Sequence, residues 1–154
     1  MTALNTLLGQ AESERDEAMM ALRRGEEQAR RVQAQADQLQ AYRGEYQQRW
    51  AGQFSRRGTM EIVQCYQSFM QRLDEALAQQ QQQAAAVTST CQRLRDKLLA
   101  AEMRVASVRK LIERRVAEQR RVQDRRDQRQ TDETAQQIRW RAKQNEVHTE
   151  SAPL

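Results

Sequence analysis

Few side chains in this sequence are of a kind that could carry out a reaction, and their spacing keeps them apart. Cys65 and Cys91 are the thiols, and His148 is the only histidine. One His and two distant Cys lack the spacing of a zinc site. Read on one helix, the two thiols are too far apart to bridge each other, and they fit a reducing cytoplasm. Carboxylates crowd into "GQAESERDEA" (Gly9 to Ala18). A helix spreads them around its circumference, whereas acid–base catalysis needs a pair sharing a partly dry site. The sequence contains neither a glycine-rich phosphate loop nor a nucleophile elbow. The expectation is a protein without catalysis of its own, without a metal and without a cofactor.

Two other clusters have the chemistry of binding. "QLQAYRGEYQQRW" (Gln38 to Trp50) gathers Tyr42, Tyr46 and Trp50 within nine positions, although aromatic residues make up only 5% of the chain. Further on, arginines come in pairs: Arg114 with Arg115, Arg120 with Arg121, Arg125 with Arg126. The formal charge of +5 is uneven, about −1 over 1–50, +1 over 51–103, +6 over 104–129 and −1 over 130–154. On a helix the arginine pairs cover a broad arc and not a narrow stripe. The plain reading is a solvated charged helix. Nucleic acid could be held through phosphates, but no aromatic residue interleaves these arginines and no known module is present. No nucleic-acid partner is expected. A membrane-surface helix would need an apolar face with Trp or Phe, which this segment lacks. A broad positive sleeve would also fit inside an acidic protein ring.

These clusters must be positioned by a chain of 154 residues that is 31% charged and 38% hydrophobic, with 5 Gly and a single proline, Pro153. About 25 glutamines add to the polarity. Such a composition cannot bury a globular core, but without breakers it can form long helices or stay disordered. Periodicity decides. One line steps by fours and threes through Leu4, Leu8, Ala11, Arg15, Ala18, Leu22, Gly25, Ala29, Val32, Ala36, Leu39, Arg43, Tyr46 and Trp50. A second runs Val63, Tyr66, Met70, Leu73, Leu77, Gln80, Ala84, Val87, Cys91, Leu94, Leu98, Ala101, Val105, Val108 and Ile112. Heptads sustained this long indicate coiled coil. "AQQQQQAAA" (Ala78 to Ala86) then reads as solvated helix surface, since the seam passes through it unbroken.

Between the lines, "AGQFSRRGT" (Ala51 to Thr59) holds two glycines and a residue able to cap a following helix. The fold expected is all-α: one long antiparallel two-helix coiled-coil hairpin over 1–145. Helix 1 would span about 3–50 and the turn about 51–58. Helix 2 would span about 59–145, followed by a disordered tail at 146–154. At 1.5 Å per residue the helices would be ~70 Å and ~130 Å long. Folding about Phe54 and Ser55 pairs residues whose numbers add to 109, so that Leu39 meets Met70, Gly25 meets Ala84 and Leu4 meets Val105. A slip of one heptad would preserve the pattern. In this register helix 1 ends opposite Val105 and helix 2 overhangs with its basic part. No apolar run approaches the ~18 residues of a bilayer span. "MTALNTLLGQAESERDEAMM" has neither the basic start nor the hydrophobic core of a signal peptide, so a cytoplasmic location is expected.

Tyr46 and Trp50 fall on the seam, and Tyr42 falls beside it. Across the hairpin, Met70 and Leu73 are on the seam, while Phe69 and Ala76 are beside it. Two stripes with matching steps, Gln35–Leu39–Tyr42–Tyr46 and Phe69–Leu73–Ala76–Gln80, would leave an apolar patch near the tip. Patches of this kind suggest partners, and exposed Tyr and Phe are favoured contact residues. Trp50 is expected to pack, Tyr42 and Phe69 to dock, and Leu39, Tyr46 and Leu73 to support the patch from the seam.

"QLQAYRGEYQQRW" followed by "QSFMQRLDEALAQQQQQ" resembles the FliJ family, the small stalk proteins of the flagellar type III export apparatus. "TDETA" (Thr131 to Ala135) resembles the acidic patch near that family's C-terminus. The resemblance implies a two-helix coiled coil like the stalk of rotary ATPases, inserted in the hexameric flagellar export ATPase and promoting its assembly and hydrolysis. It implies contact with the cytoplasmic domain of the export gate, help in coupling export to the proton motive force, and handling of export chaperones. It places the protein at the flagellar base, peripheral to the inner membrane, with a role in motility. By resemblance the gate surface comprises Gln35, Leu39, Tyr42, Tyr46, Phe69, Leu73, Ala76 and Gln80, the last at a position where residue type varies. The ring-facing part would be the open end, with Arg114, Arg115, Arg120, Arg121, Arg125 and Arg126. Stalk proteins of virulence-type secretion systems share this shape and are the near alternative. A general coiled-coil scaffold is the other.

Overall fold

With breakers all but absent, the chain forms two helices. The computed structural model describes residues 2–54 and 58–150. Helix α1 is Thr2–Phe54 (53 residues) and α2 is Met60–Glu150 (91 residues). They are roughly 80 Å and 137 Å long at 1.5 Å per residue. The described residues contain no strand. Helix α1 continues through Gly52 to Phe54, where a turn from 51 was expected, because a lone glycine costs a helix only ~1 kcal/mol. The Thr59 carbonyl accepts the Val63 amide at 3.2 Å, the first helical bond of α2, as an N-cap residue does. Helix α2 continues past 145 to Glu150, so residues 146–150 of the expected tail are helical. Residues 55–57 of the expected turn and 151–154 of the tail lie outside the described residues.

The helices pack antiparallel along the two apolar lines. No residue on either line is exposed, Arg15, Gly25, Arg43 and Gln80 included. The deepest are Ala11, Val32 and Ala36 of α1, and Met70, Leu73, Leu77, Cys91, Val105 and Val108 of α2. Two helices can enclose only a strip between them. Accordingly, no large side chain among the described residues is completely buried.

The register differs from the expectation by one heptad. Gly25 faces Cys91, not Ala84: a Cβ added at Gly25 would lie 3.5 Å from the Cys91 sulfur and 2.8 Å from Leu94 Cδ1. Trp50 lies against Tyr66. Both pairs add to 116, seven more than 109. Four ion pairs join the helices in the same register: Arg43 to Asp74 at 2.6 Å, Arg104 to Glu14 at 2.8 Å, Arg109 to Glu12 at 3.1 Å and Arg95 to Glu26 at 3.7 Å. Packing supplies the reason. The expected register sets Gly25 against Ala84 and leaves a gap between two small residues, whereas here Cys91 and Leu94 fill the notch that Gly25 leaves.

This slip also moves the start of the overhang. Leu4 now lies level with Ile112, the last residue of the apolar line, and not with Val105. Arg104 and Arg109, expected in the basic overhang, are instead paired with α1 carboxylates. What projects beyond α1 begins near residue 113 and carries a net charge of +3 over 113–129. From residue 117 to 150 every residue is exposed.

Candidate functional site

The tip is organised around Tyr46. Its ring centroid lies 4.3 Å from Phe69, 5.8 Å from Trp50, 6.1 Å from Tyr42 and 6.3 Å from Tyr66. Trp50 and Tyr66 are 5.4 Å apart. The spacing in sequence explains the cluster: Tyr42, Tyr46 and Trp50 succeed one another by fours on one side of α1, and Tyr66 and Phe69 sit three apart on α2. Offset and tilted ring pairs at these distances add ~0.5–1.5 kcal/mol each beyond their burial. They compensate for a seam that is otherwise thin here, where Arg43 occupies a core position and extends to Asp74.

The register fixes how the two stripes meet. Gln35 is level with Gln80, Leu39 with Ala76, Tyr42 with Leu73 and Tyr46 with Phe69, each pair adding to 115. In the expected register the stripes would be offset by about six residues, so their alignment is a consequence of the slip. The eight residues differ in exposure. Leu73 is buried, at 7%, and belongs to the core. Leu39, Tyr46, Phe69, Ala76 and Gln80 are half-buried, and Gln35 is exposed. Tyr42 is 49% exposed, the only exposed aromatic residue in the tip cluster. Gln35, Leu39, Tyr42 and Gln80 line one shallow groove together with Gln38. The Gln80 side-chain oxygen is buried without a hydrogen-bond partner within the chain. The groove thus combines the apolar surfaces of Leu39 and Tyr42 with three glutamine side chains. Among the described residues, no group of His, Cys, Asp and Glu is placed to hold a metal ion.

At the other end, Arg114, Arg115, Arg120, Arg121, Arg125 and Arg126 are all exposed. Among the described residues none of the six is held by a carboxylate. A second feature of this end lies beyond Arg129, past the arginine pairs and off the heptad line. Trp140 is 63% exposed, and Val122, Ile138 and Val147 are also exposed. The signal was available in the spacing: Val122 and Trp140 are 18 residues apart, five whole turns, so they share one side of α2. No described helix is long and apolar enough to cross a membrane.

The model of one protein family, described as flagellar FliJ protein, matches residues 1–144. That match covers both stripes, the turn and the arginine pairs. No curated protein and no solved structure matches the chain.

Proposed function

The chain belongs to the flagellar FliJ protein family, a family associated with flagellar protein export, and on that premise we propose that it is a stalk joining two parts of the export machinery. The open end, with its arginine-bearing overhang, inserts in the hexameric export ATPase and promotes ring assembly and hydrolysis. The tip docks on the cytoplasmic domain of the export gate through Tyr42 and Phe69, with Gln35, Leu39, Tyr46, Leu73, Ala76 and Gln80 around or beneath them. Export chaperones are a further class of partner. The protein contributes no catalysis. It works in the cytoplasm, at the membrane only through the apparatus it joins.

The observation that carries this reading is the separation of two unlike surfaces on one rod. Tyr42 lies roughly 57 Å along α1 from Leu4, where the overhang begins. The tip is aromatic and the overhang is cationic, so the two can engage different partners at once. An aligned apolar patch suits a desolvated contact, and arginines that no carboxylate holds among the described residues suit an acidic one.

The test is hydrolysis by the flagellar export ATPase of the same organism with this protein titrated in, ring assembly being followed by sedimentation. Stimulation saturating near one copy per hexamer supports the stalk. An unchanged rate and unchanged assembly, with the protein shown to be helical, removes the stalk mechanism and leaves a general coiled-coil scaffold.

A further inference from the structure

Leu111, Val122, Arg129, Trp140 and Val147 follow one another by 11, 7, 11 and 7 residues. At 3.6 residues per turn these steps keep all five within a sector of about 20°. The line is therefore straight along α2 and lies about a quarter turn away from the seam, whose last members are Val105, Val108 and Ile112. It does not continue the coiled coil. Its apolar members are all exposed, Leu111 at 47%, Val122 at 44%, Trp140 at 63% and Val147 at 64%. Arg115 and Arg126 lie close beside it. Arg139, Arg141 and Lys143 surround Trp140 in sequence.

We propose that this line, with Trp140 as its principal contact, is the face by which the overhang is gripped by an acidic protein channel. The proposal rests on the ring-insertion reading above and adds to it a hydrophobic contact that the arginine pairs alone do not provide. Two observations select the occupant. The first is charge: the helix is cationic along the proximal part of the line, net +3 over 113–129, and balanced over 130–147, where Arg139, Arg141 and Lys143 flank Trp140, and among the described residues none of these cations is held by a carboxylate, so an acidic surface complements it. The second is spacing. A partner helix lying alongside would need an apolar residue every three or four positions, whereas here the apolar side chains are roughly 10 to 27 Å apart. That interval suits several separate loops closing on the helix at different depths. Trp140 lines two shallow surface grooves, one shared with Glu133 and Gln136, the other with Lys143 and Gln144. At 63% exposed it is an accessible aromatic surface with polar margins.

Only two tryptophans are present, so Trp50→Phe leaves Trp140 as the sole indole reporter. The experiment titrates the assembled export ATPase into this variant, recording tryptophan emission relative to an ATPase-only blank and its quenching by acrylamide, with co-sedimentation as a separate measure of binding. The wild-type chain and Trp140→Ala are co-sedimented in parallel, so the result does not depend on how Trp50→Phe folds. The expected result is a blue shift with lost quenching on binding, and affinity reduced about tenfold or more for Trp140→Ala, with helix content unchanged. Binding of the wild-type chain with Trp140 still fully quenched, or an unaltered affinity for Trp140→Ala, overturns the proposal and leaves the stalk reading standing. No co-sedimentation of the wild-type chain overturns both.

Discussion

Gly25→Cys, in a chain whose exposed Cys65 is changed to Ser, should form a disulfide with the buried Cys91. A Cβ at position 25 would sit 3.5 Å from the Cys91 sulfur, so the two side chains need only a small adjustment to reach disulfide geometry. The one tight contact, 2.8 Å to Leu94 Cδ1, is with the end of a flexible side chain that can rotate away. The bridge would close a loop of about 66 residues, for which chain entropy gives about 4 kcal/mol at 25 °C before any strain. For a chain of this size each kcal/mol raises the midpoint by about 2–4 °C, so the oxidised form should melt roughly 8–16 °C higher than the reduced one. Loss of both thiols to a thiol reagent reports the bond, and circular dichroism melts with and without reductant report its effect. Ala18→Cys in the same background is the counter-probe, because Ala18 would face Cys91 only if the helices were slipped back by one heptad. Oxidation of the Ala18 variant but not the Gly25 variant would refute the register, and with it the alignment of the two stripes at the tip.

Tyr42→Ala and Tyr46→Ala should separate docking from packing. Tyr46 touches four other rings, and its removal should cost about 2–4 kcal/mol in thermal unfolding. Tyr42 is half exposed and should cost under about 1 kcal/mol, while pull-down by the gate's cytoplasmic domain should be lost. An equal loss of stability for both would show that Tyr42 is core. Reversing Arg120, Arg121, Arg125 and Arg126 to Glu should weaken ATPase binding and spare gate binding. Wild-type ring binding should fall as salt rises, since exposed charges are screened within ~8–10 Å, and equal binding at low and high salt would contradict this.

Much of the candidate site was legible because helix period maps sequence onto faces. Steps of three and four placed Tyr46, Trp50 and Leu73 on the seam and Tyr42 beside it; Leu73 is buried and Tyr42 exposed, while Phe69 and Ala76, also placed beside the seam, are half-buried like Tyr46. Trp140 was also legible, through its 18-residue distance from Val122. Neither the heptad line nor the arginine pairs point to it, because it stands off the seam and beyond Arg129. Partner contacts at Gln35 or Gln80 had no such signature. A glutamine beside a seam is ordinary helix surface until the opposite helix is in place.

The sequence by itself determined two long helices, their antiparallel pairing, the residues of the seam and a cationic overhang. It could do so because only one short stretch, Ala51 to Thr59, brings two glycines close together, and because a heptad repeat is a local property, read without knowing what lies opposite. Only the tertiary structure decided the register. A pattern that repeats every seven residues is unchanged by a shift of seven, so the repeat is silent on which layer meets which. The choice was made by features that break the repeat: the notch at Gly25 filled by Cys91 and Leu94, the Arg43–Asp74 pair, and the rings gathered on Tyr46. That one choice aligned the two stripes at the tip, paired Arg104 and Arg109 with α1, and set where α2 leaves its partner.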